Sequence, residues 1–177
     1  VYVAATKRES VEHIAETFCL LGKTQIESVN IHELGLRGIS TLLPESADGL
    51  ALLHLRSNDA ILIITRDKSL YLTRRIDIGL NQILDTLIGR KKDEDIGTVL
   101  TNANPIKGIC AQIQQALDYH ERRFQHHIAR LYLAPPERPL PELRAAISNH
   151  LPIRVRNMRL ENLVTFANGL PDIMVQN

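Results

Sequence analysis

Residues 50–79 read LALLHLRSNDAILIITRDKSLYLTRRIDIG, and they decide the fold of this chain. Three short apolar runs alternate here with two polar clusters, Ser57 to Asp59 and Arg66 to Ser69. Short runs rich in leucine and isoleucine are typical of strands, and connections this short join antiparallel neighbours. The stretch therefore predicts a three-strand antiparallel meander.

The bulk composition is that of an ordinary globular protein. The chain has 177 residues, of which 44% are hydrophobic and 23% are charged, so extensive disorder is not expected. This length supports one good core or two small ones. The formal net charge of +1 gives no general attraction to nucleic acid or to an anionic membrane. We therefore expect no nucleic-acid partner.

Cysteine usage and hydropathy indicate the cellular compartment in which the protein is expected. Cys19 and Cys110 lie in apolar helical patterns, as buried reduced cysteines do, and the ligand pairs of a zinc site are missing. No apolar run approaches the roughly 20 residues that span a bilayer, and no secretory signal is visible. These features predict a cytoplasmic protein without a metal site. The strand-like opening VYVAATK, with no initiator methionine, suggests part of a longer protein.

Before the meander, the pattern predicts a strand at Val1 to Thr6, a strand at 25–30 and a helix at 32–43. Ser10 is expected to cap a helix whose apolar face comprises Val11, Ile14, Ala15, Phe18 and Leu21. The turn-rich stretch 43–49 then marks a domain boundary. We expect residues 1–45 to be the remainder of a first lobe and residues 46–177 to form a second.

After the meander, strands alternate with helices, which predicts a mixed α/β class. The expected elements are a helix at 80–89, a charged loop at 90–95, a helix from Pro105 to about His127, a strand at 128–134, a helix at 140–150, a strand at 153–156 and a closing helix at 160–168. Residues 80–127 are expected to form an inserted subdomain. Leu62 and Leu133 should be nearly fully buried in a single sheet.

This order of elements resembles the C-terminal two-thirds of PilM-type actin-like proteins of type IV pilus machines. It resembles still more their MshI-type relatives, which assemble mannose-sensitive haemagglutinin (MSHA) pili. The segments that carry the resemblance are VYVAATKRESVEHIAETFCLLG, YLTRRIDIGLNQI, IQQALDYHERRFQHHIARLYLAPP and LENLVTFANGL. The resemblance implies an actin-like (ASKHA, ribonuclease H-like) lobe in which a three-strand meander is followed by helices and further strands, together with part of the preceding lobe.

The first departure from the family's ATP-binding members lies on the first meander strand. Those members have an acidic residue followed by a glycine there, whereas residues 53–56 of this chain read Leu-His-Leu-Arg. The acid serves to hold Mg²⁺ or its water shell, and the glycine lets backbone approach the phosphates. His54 is a poor Mg²⁺ ligand, and Arg56 adds a long side chain.

Two further departures fall on other parts of the same site. The family's long helix presents a glutamate and an arginine-serine pair, where this chain has Gln112 and Gln115 followed by alanine. The next strand normally ends in a double glycine, where this chain has Pro135 and Pro136, which add bulk and remove backbone donors. The resemblance therefore implies a degenerate nucleotide cleft, with no cofactor, no metal and no catalytic residues.

The leading hypothesis is a non-catalytic scaffold of a type IV or MSHA pilus machine, associated with the inner membrane through partners or through a segment outside this chain. By resemblance, its partner is an inner-membrane PilN-type protein, and a secretion ATPase and a second copy of the chain are further candidates. One alternative is the cytoplasmic domain of a GspL-like type II secretion protein. The other is a working ATPase in which His54, Arg74 and Arg75 replace the lost groups.

Simpler structural roles are also expected for several of these residues. His54 reads as a core histidine with a backbone partner, and Arg74 and Arg75 read as strand-end ion-pairing residues next to Asp77. Gly79 is expected to start a helix and Gly89 to end it. The three histidines of the long-helix segment are expected to lie on a solvated helical face; they are His120, His126 and His127.

Overall fold

The computed structural model describes residues 5–21, 28–85, 104–136, 142–159 and 163. Residues 80–85 are helical and are called α3. The other elements are α1 (Arg8–Leu21), α2 (His32–Ser40), β1 (Leu50–Leu55), β2 (Ala60–Arg66), β3 (Ser69–Ile76), α4 (Pro105–Phe124), β4 (Arg130–Leu133), α5 (Leu143–Ser148) and β5 (Arg154–Asn157). The mixed α/β class is thus confirmed.

The predicted meander is confirmed. β1 pairs antiparallel with β2, so that Leu53 faces Leu62, and β2 pairs antiparallel with β3. The turn between β2 and β3 places both Asp67 (φ 46°) and Lys68 (φ 60°) in the left-handed region. Two successive residues of this kind form the hairpin turn whose twist matches that of the flanking strands. The turn chemistry of the sequence therefore specified the local topology.

The other half of the sheet is parallel. The strand order is β3-β2-β1-β4-β5, and both the β1–β4 and β4–β5 pairs are parallel. The prediction that the strand near residues 128–134 shares a sheet with the meander is confirmed, because Leu53 pairs with Leu133. β1 is therefore the strand that joins the two halves.

The main core lies between one face of the sheet and α4. Leu62 is 0% exposed and Leu133 is 4% exposed, as predicted. Ile109 and Ile113 of α4 and Ile83 of α3 belong to the same cluster of buried side chains. The described parts of residues 80–127 thus pack into the core of the lobe. Residues 86–103 of the predicted inserted subdomain lie outside the described residues.

The C-terminal part of α2 and the segment that follows it pack on the opposite face of the sheet. Thr65 donates a hydrogen bond from Oγ1 to Ser40 Oγ at 3.0 Å, and Leu36 and Leu43 are both buried. The chain divides into compact units of residues 1–35 and 36–177. The sequence placed this boundary at residue 45, later than the structure does, because contacts of α2 with the sheet are invisible to turn composition.

α1 in the first unit differs from expectation in two ways. It starts at Arg8, so Ser10 lies inside the helix and does not cap it. Ile14 and Phe18, which belong to its predicted apolar face, are 44% and 57% exposed. Cys19 is exposed as well, whereas Cys110 is buried, as predicted, and its burial raises the pKa of the thiol to about 11.

α4 ends earlier than the sequence suggests. Its start follows the prediction, since Asn104 Oδ1 accepts a hydrogen bond from the Ile106 N–H at 3.1 Å and Pro105 occupies the first turn. Its end is set by Gln125, which adopts the left-handed conformation (φ 52°, ψ 39°). His126 and His127 therefore follow the helix. The predicted charged loop at 90–95 and the closing helix at 160–168 lie outside the described residues, Leu163 excepted. So do residues 1–4 of the predicted strand at 1–6 and residues 25–27 of the predicted strand at 25–30.

Candidate functional site

Four strand ends define the edge of the sheet at which a ligand site is expected. β1, β3, β4 and β5 all run in the same direction, because β3 is antiparallel to β2 and β2 is antiparallel to β1. Their carboxyl ends therefore lie at one edge, where open α/β sheets bind ligands. The residues that follow these strands include Arg56, Asp77 and Pro135.

The turn from β1 to β2 is closed by its own ion pairs. Arg56 Nε donates to Asp59 Oδ1 at 2.6 Å, and its Nη2 donates to Oδ2 of the same carboxylate. Arg75 Nε lies 2.8 Å from Asp59 Oδ2, and the Asp59 side chain is only 8% exposed. The guanidinium of Arg56 is thus held in the turn by a carboxylate that an incoming anion would have to displace.

The start of α3 docks onto this turn. The Leu80 N–H donates to Arg56 O at 2.8 Å, and the Asn81 N–H donates to Ser57 O at 3.0 Å. The Gly79 N–H donates to Gln82 Oε1 at 2.6 Å. A helix start can bind phosphate through free N–H groups, and these three N–H groups already have protein acceptors.

Gly79 is required by this contact. A Cβ at this position would lie 2.3 Å from the carbonyl carbon of Asn58 and 2.5 Å from the Asp59 backbone nitrogen. Only a residue without a side chain lets the helix start approach the turn so closely. The expectation that Gly79 starts a helix agrees with the helical residues from Leu80 onward. Gly89 lies outside the described residues.

His54 and the two prolines lie at the same edge as Arg56. Side chains alternate along a strand, and Leu53 and Leu55 face the main core, so half-buried His54 points to the opposite face. On that face it aligns with Ile61 and Arg75 across three strands. Pro135 and Pro136 directly follow Ala134, whose N–H donates to Leu53 O at 2.8 Å. The structure thus brings four of the predicted cleft residues to one edge.

Gln112 and Gln115 belong to a different environment. Both lie on α4, where Arg74 of β3 contacts them from the core face of the sheet. Arg74 Nη2 donates to Gln115 Oε1 at 3.1 Å, and Nη1 lies 3.5 Å from the Gln112 carbonyl oxygen. Of the two arginines expected to form strand-end ion pairs, Arg75 does so, with Asp59 and, at 3.8 Å, with Asp77. Arg74 instead ties β3 to α4.

Glu45 is a buried acid that the sequence did not single out. It lies in the turn before β1, and Tyr132 donates a hydrogen bond from its hydroxyl to Glu45 Oε2. Arg130 Nη1 lies 2.7 Å and Arg156 Nη1 3.6 Å from Glu45 Oε1. Burial, together with the bond to Glu45, raises the pKa of the Tyr132 hydroxyl. The cluster fixes the turn to β4 and β5, and no motif in PESADG signals it.

Two features are absent from the residues that the structure describes, a metal-ligand cluster and a membrane-spanning helix. Within them, no group of three or more histidine, cysteine, aspartate or glutamate side chains is placed to hold a metal ion. No helix in these same segments is both long enough and apolar enough to cross a membrane.

Similarity to a solved structure identifies the fold class of the chain. The chain matches a chain of the PilM–PilN type IV pilus biogenesis complex with a TM-score of 0.63 and 14% identity, over 96% of this chain and 53% of that one. It therefore spans about half the length of that structure. The five-strand sheet and this match make the described lobe a member of the actin-like α/β fold class.

Other solved structures match with lower TM-scores. The archaeal actin homologue Ta0583 matches with a TM-score of 0.47 and 9% identity, over 76% of this chain and 51% of that one. A further structure of Ta0583 is a complex with ADP. The Alp12 filament matches with a TM-score of 0.42 and 14% identity, over 69% and 46% of the two chains. No family model matches the chain, and no curated protein matches its sequence.

Proposed function

We propose that this chain is part of a non-catalytic, PilM-type scaffold of a type IV pilus machine, of the MshI kind that serves MSHA pili. It acts on the cytoplasmic side of the inner membrane by holding a PilN-type partner. The fold match to the PilM–PilN complex supports the pilus assignment. The residue departures at His54, Arg56, Pro135 and Pro136 support the loss of nucleotide binding.

The observation that carries the non-catalytic role is the closed β1–β2 turn. A nucleotide-binding edge needs free N–H donors and an uncompensated positive charge or metal to hold phosphate. Here the N–H groups of Leu80 and Asn81 donate to the turn carbonyls, and the Arg56 guanidinium is paired with Asp59. Phosphate binding would require breaking contacts that hold α3 to the sheet.

We predict that the purified protein does not bind ATP at millimolar concentration with Mg²⁺. A ligand present at 100 times its dissociation constant stabilises a protein by about 2.7 kcal/mol, which moves the melting temperature of a domain of this size by several degrees. Thermal unfolding should therefore be unchanged by ATP and Mg²⁺. Ta0583, which has been seen with ADP, is a suitable positive control. A saturable, Mg²⁺-dependent shift would refute this part of the proposal.

The partner is tested separately, by capture of the full-length protein on an immobilised PilN-type cytoplasmic tail. The wild type is compared with a double variant, His54→Ala with Arg56→Ala. This variant lacks both polar side chains of the four predicted cleft residues at this edge. Because Arg75 still pairs with Asp59, the turn should survive, and circular dichroism checks the fold. We expect equal capture of both proteins, with and without ATP. Capture that needs ATP, or that is lost in the folded double variant, would favour a nucleotide-driven switch.

A further inference from the structure

A buried histidine lies at the other edge of the sheet, away from the candidate cleft. His120 is on α4 and its side chain is 0% exposed, although the sequence suggested a solvated helical face. Its ring packs against Tyr71 of β3 and Phe124 of α4, with ring centroids 5.7 and 5.0 Å away. The position is seven residues after Ile113, so it continues the buried stripe of the helix.

The tautomer of His120 follows from its hydrogen bond to the backbone of His126. Nδ1 lies 3.1 Å from the carbonyl oxygen of His126. A carbonyl oxygen only accepts, so Nδ1 carries the hydrogen and donates it. In the neutral ring Nε2 is then a bare acceptor, and this buried atom has no hydrogen-bond partner among the residues that the structure describes. His126 Nδ1 is likewise buried and has no hydrogen-bond partner within the described part of the chain.

This hydrogen bond holds the connection between α4 and β4. The helix ends at Gln125 in the left-handed conformation, and the chain turns through His126 to reach buried Ile128. Gly49 closes the other side, where an added Cβ would lie 3.2 Å from His126 Cε1 and 3.0 Å from Ile128 Cδ1. The turn is thus packed on both sides, with the His120 ring as its polar anchor.

We propose that His120 is a proton-sensitive latch, which holds the α4-to-β4 turn when neutral and releases it when protonated. Protonation places a hydrogen on Nε2, so the ring becomes a buried cation with a donor that has no acceptor. Such a group is far more costly in an apolar aromatic cluster than in water. Opening the turn to solvent relieves this cost.

The surroundings of His120 and His126 include groups that lower the pKa of each ring and groups that raise it. Burial is the largest cause that lowers the pKa of His120 from its usual 6.5, and His126 and the Arg66 guanidinium at the end of β2 lower it further. The bond to the His126 carbonyl and the Glu121 carboxylate oppose this change. At His126, burial, Arg66 and His127 lower the pKa of the ring, and Asp48 raises it.

The sign of the pH effect follows from this lowered pKa. As pH falls below 6.5, the unfolded chain takes up the proton before the folded one does, so stability falls with it. Stability from the latch is therefore fully present above pH 6.5 and is lost as pH falls through the lower pKa of the folded state. The open state should appear first at the α4–β4 turn.

The test is the melting temperature as a function of pH in the wild type and in His120→Asn. An asparagine amide can donate to the His126 carbonyl from near the Nδ1 position but does not titrate. The melting temperature of the wild type should decrease between about pH 7.5 and pH 5. In the variant we expect this decrease to be smaller by about half or more. His127→Gln is the matched control, because this side chain is 64% exposed, and it should keep the full decrease.

An NMR titration of the wild type tests the same proposal without a variant. Nitrogen shifts should report the Nδ1–H tautomer of His120 at neutral pH, and its ring should titrate below 6.5, together with loss of amide protection at residues 121–129. A ring that titrates at 6.5 or above, or an Nε2–H tautomer, would overturn the latch. So would an unchanged pH dependence in a folded His120→Asn variant.

Discussion

Replacing Leu62 with alanine should lower the free energy of unfolding by about 2–5 kcal/mol. Leu62 is 0% exposed and lies in the central antiparallel pair opposite Leu53, on the face covered by α4. The change removes three carbon atoms from a site bounded by the sheet and the helix, which cannot both move in to fill the space. The melting temperature should fall by roughly 5–15 °C for a chain of this size.

The matched control for this change is Leu42→Ala. Leu42 is 53% exposed in the turn after α2, so its truncation should alter stability by no more than about 0.5 kcal/mol. Denaturant unfolding of both variants, read by circular dichroism, measures the difference. A small effect at Leu62, equal to that at Leu42, would mean that the pairing of β1 with β2 or the position of α4 is wrong.

Replacing Gly79 with alanine should cost about 3 kcal/mol, at the upper end of what overpacking costs. The new methyl group would meet backbone atoms of Asn58 and Asp59 at 2.3–2.5 Å, and backbone cannot rotate away as a flexible side chain can. Relief requires α3 to lift from the turn, which would break the bonds from Leu80 and Asn81 to the turn carbonyls. Thermal or denaturant unfolding measures the cost.

Gly38→Ala provides a control that should change stability in the opposite direction. Gly38 lies in α2, and an added Cβ would have no heavy atom within 4 Å. Alanine is the better helix former there, so this variant should gain up to about 1 kcal/mol. If both alanine variants were stabilised, α3 would not approach the turn as closely as the structure indicates.

The meander was predictable because its information is local. Each apolar run is bounded by a short polar turn, and both turns force antiparallel neighbours without reference to the rest of the chain. The parallel partner of β1 is different, since Leu53 meets Leu133 across a long intervening segment. Periodicity predicts that residues near 130 form a strand. That this strand lies beside β1 follows only from tertiary packing or from a family resemblance.

Burial of polar side chains was the least predictable part. His120 was assigned to a solvated face because charged residues follow it at Glu121 to Arg123, although its spacing from Ile113 signals the buried stripe. For Glu45 no signal exists, because its burial depends on Tyr132 and two arginines far along the chain. Composition describes a neighbourhood in sequence, whereas burial depends on a neighbourhood in space.

The candidate cleft, too, could be predicted only in part from the sequence. His54, Arg56 and the two prolines share an edge because they follow or end neighbouring parallel strands, which the sequence order of strands can suggest. Asp59 was read only as part of a polar turn, yet its carboxylate binds both Arg56 and Arg75. Gln112 and Gln115 were assigned to the cleft by resemblance, and their contact with Arg74 depends on how α4 lies across β3.

The central position of β1 has a consequence for synthesis of the protein. Five of its six residues are buried, and one of its backbone edges pairs with β4. Since a chain leaves the ribosome from its N-terminus, the meander emerges well before Arg130–Leu133 can join it. During that interval an apolar strand presents an open edge, which favours pairing with other nascent chains. Chaperone protection of the unfinished lobe, or rapid translation of the segment between the meander and β4, would suppress this route to aggregation.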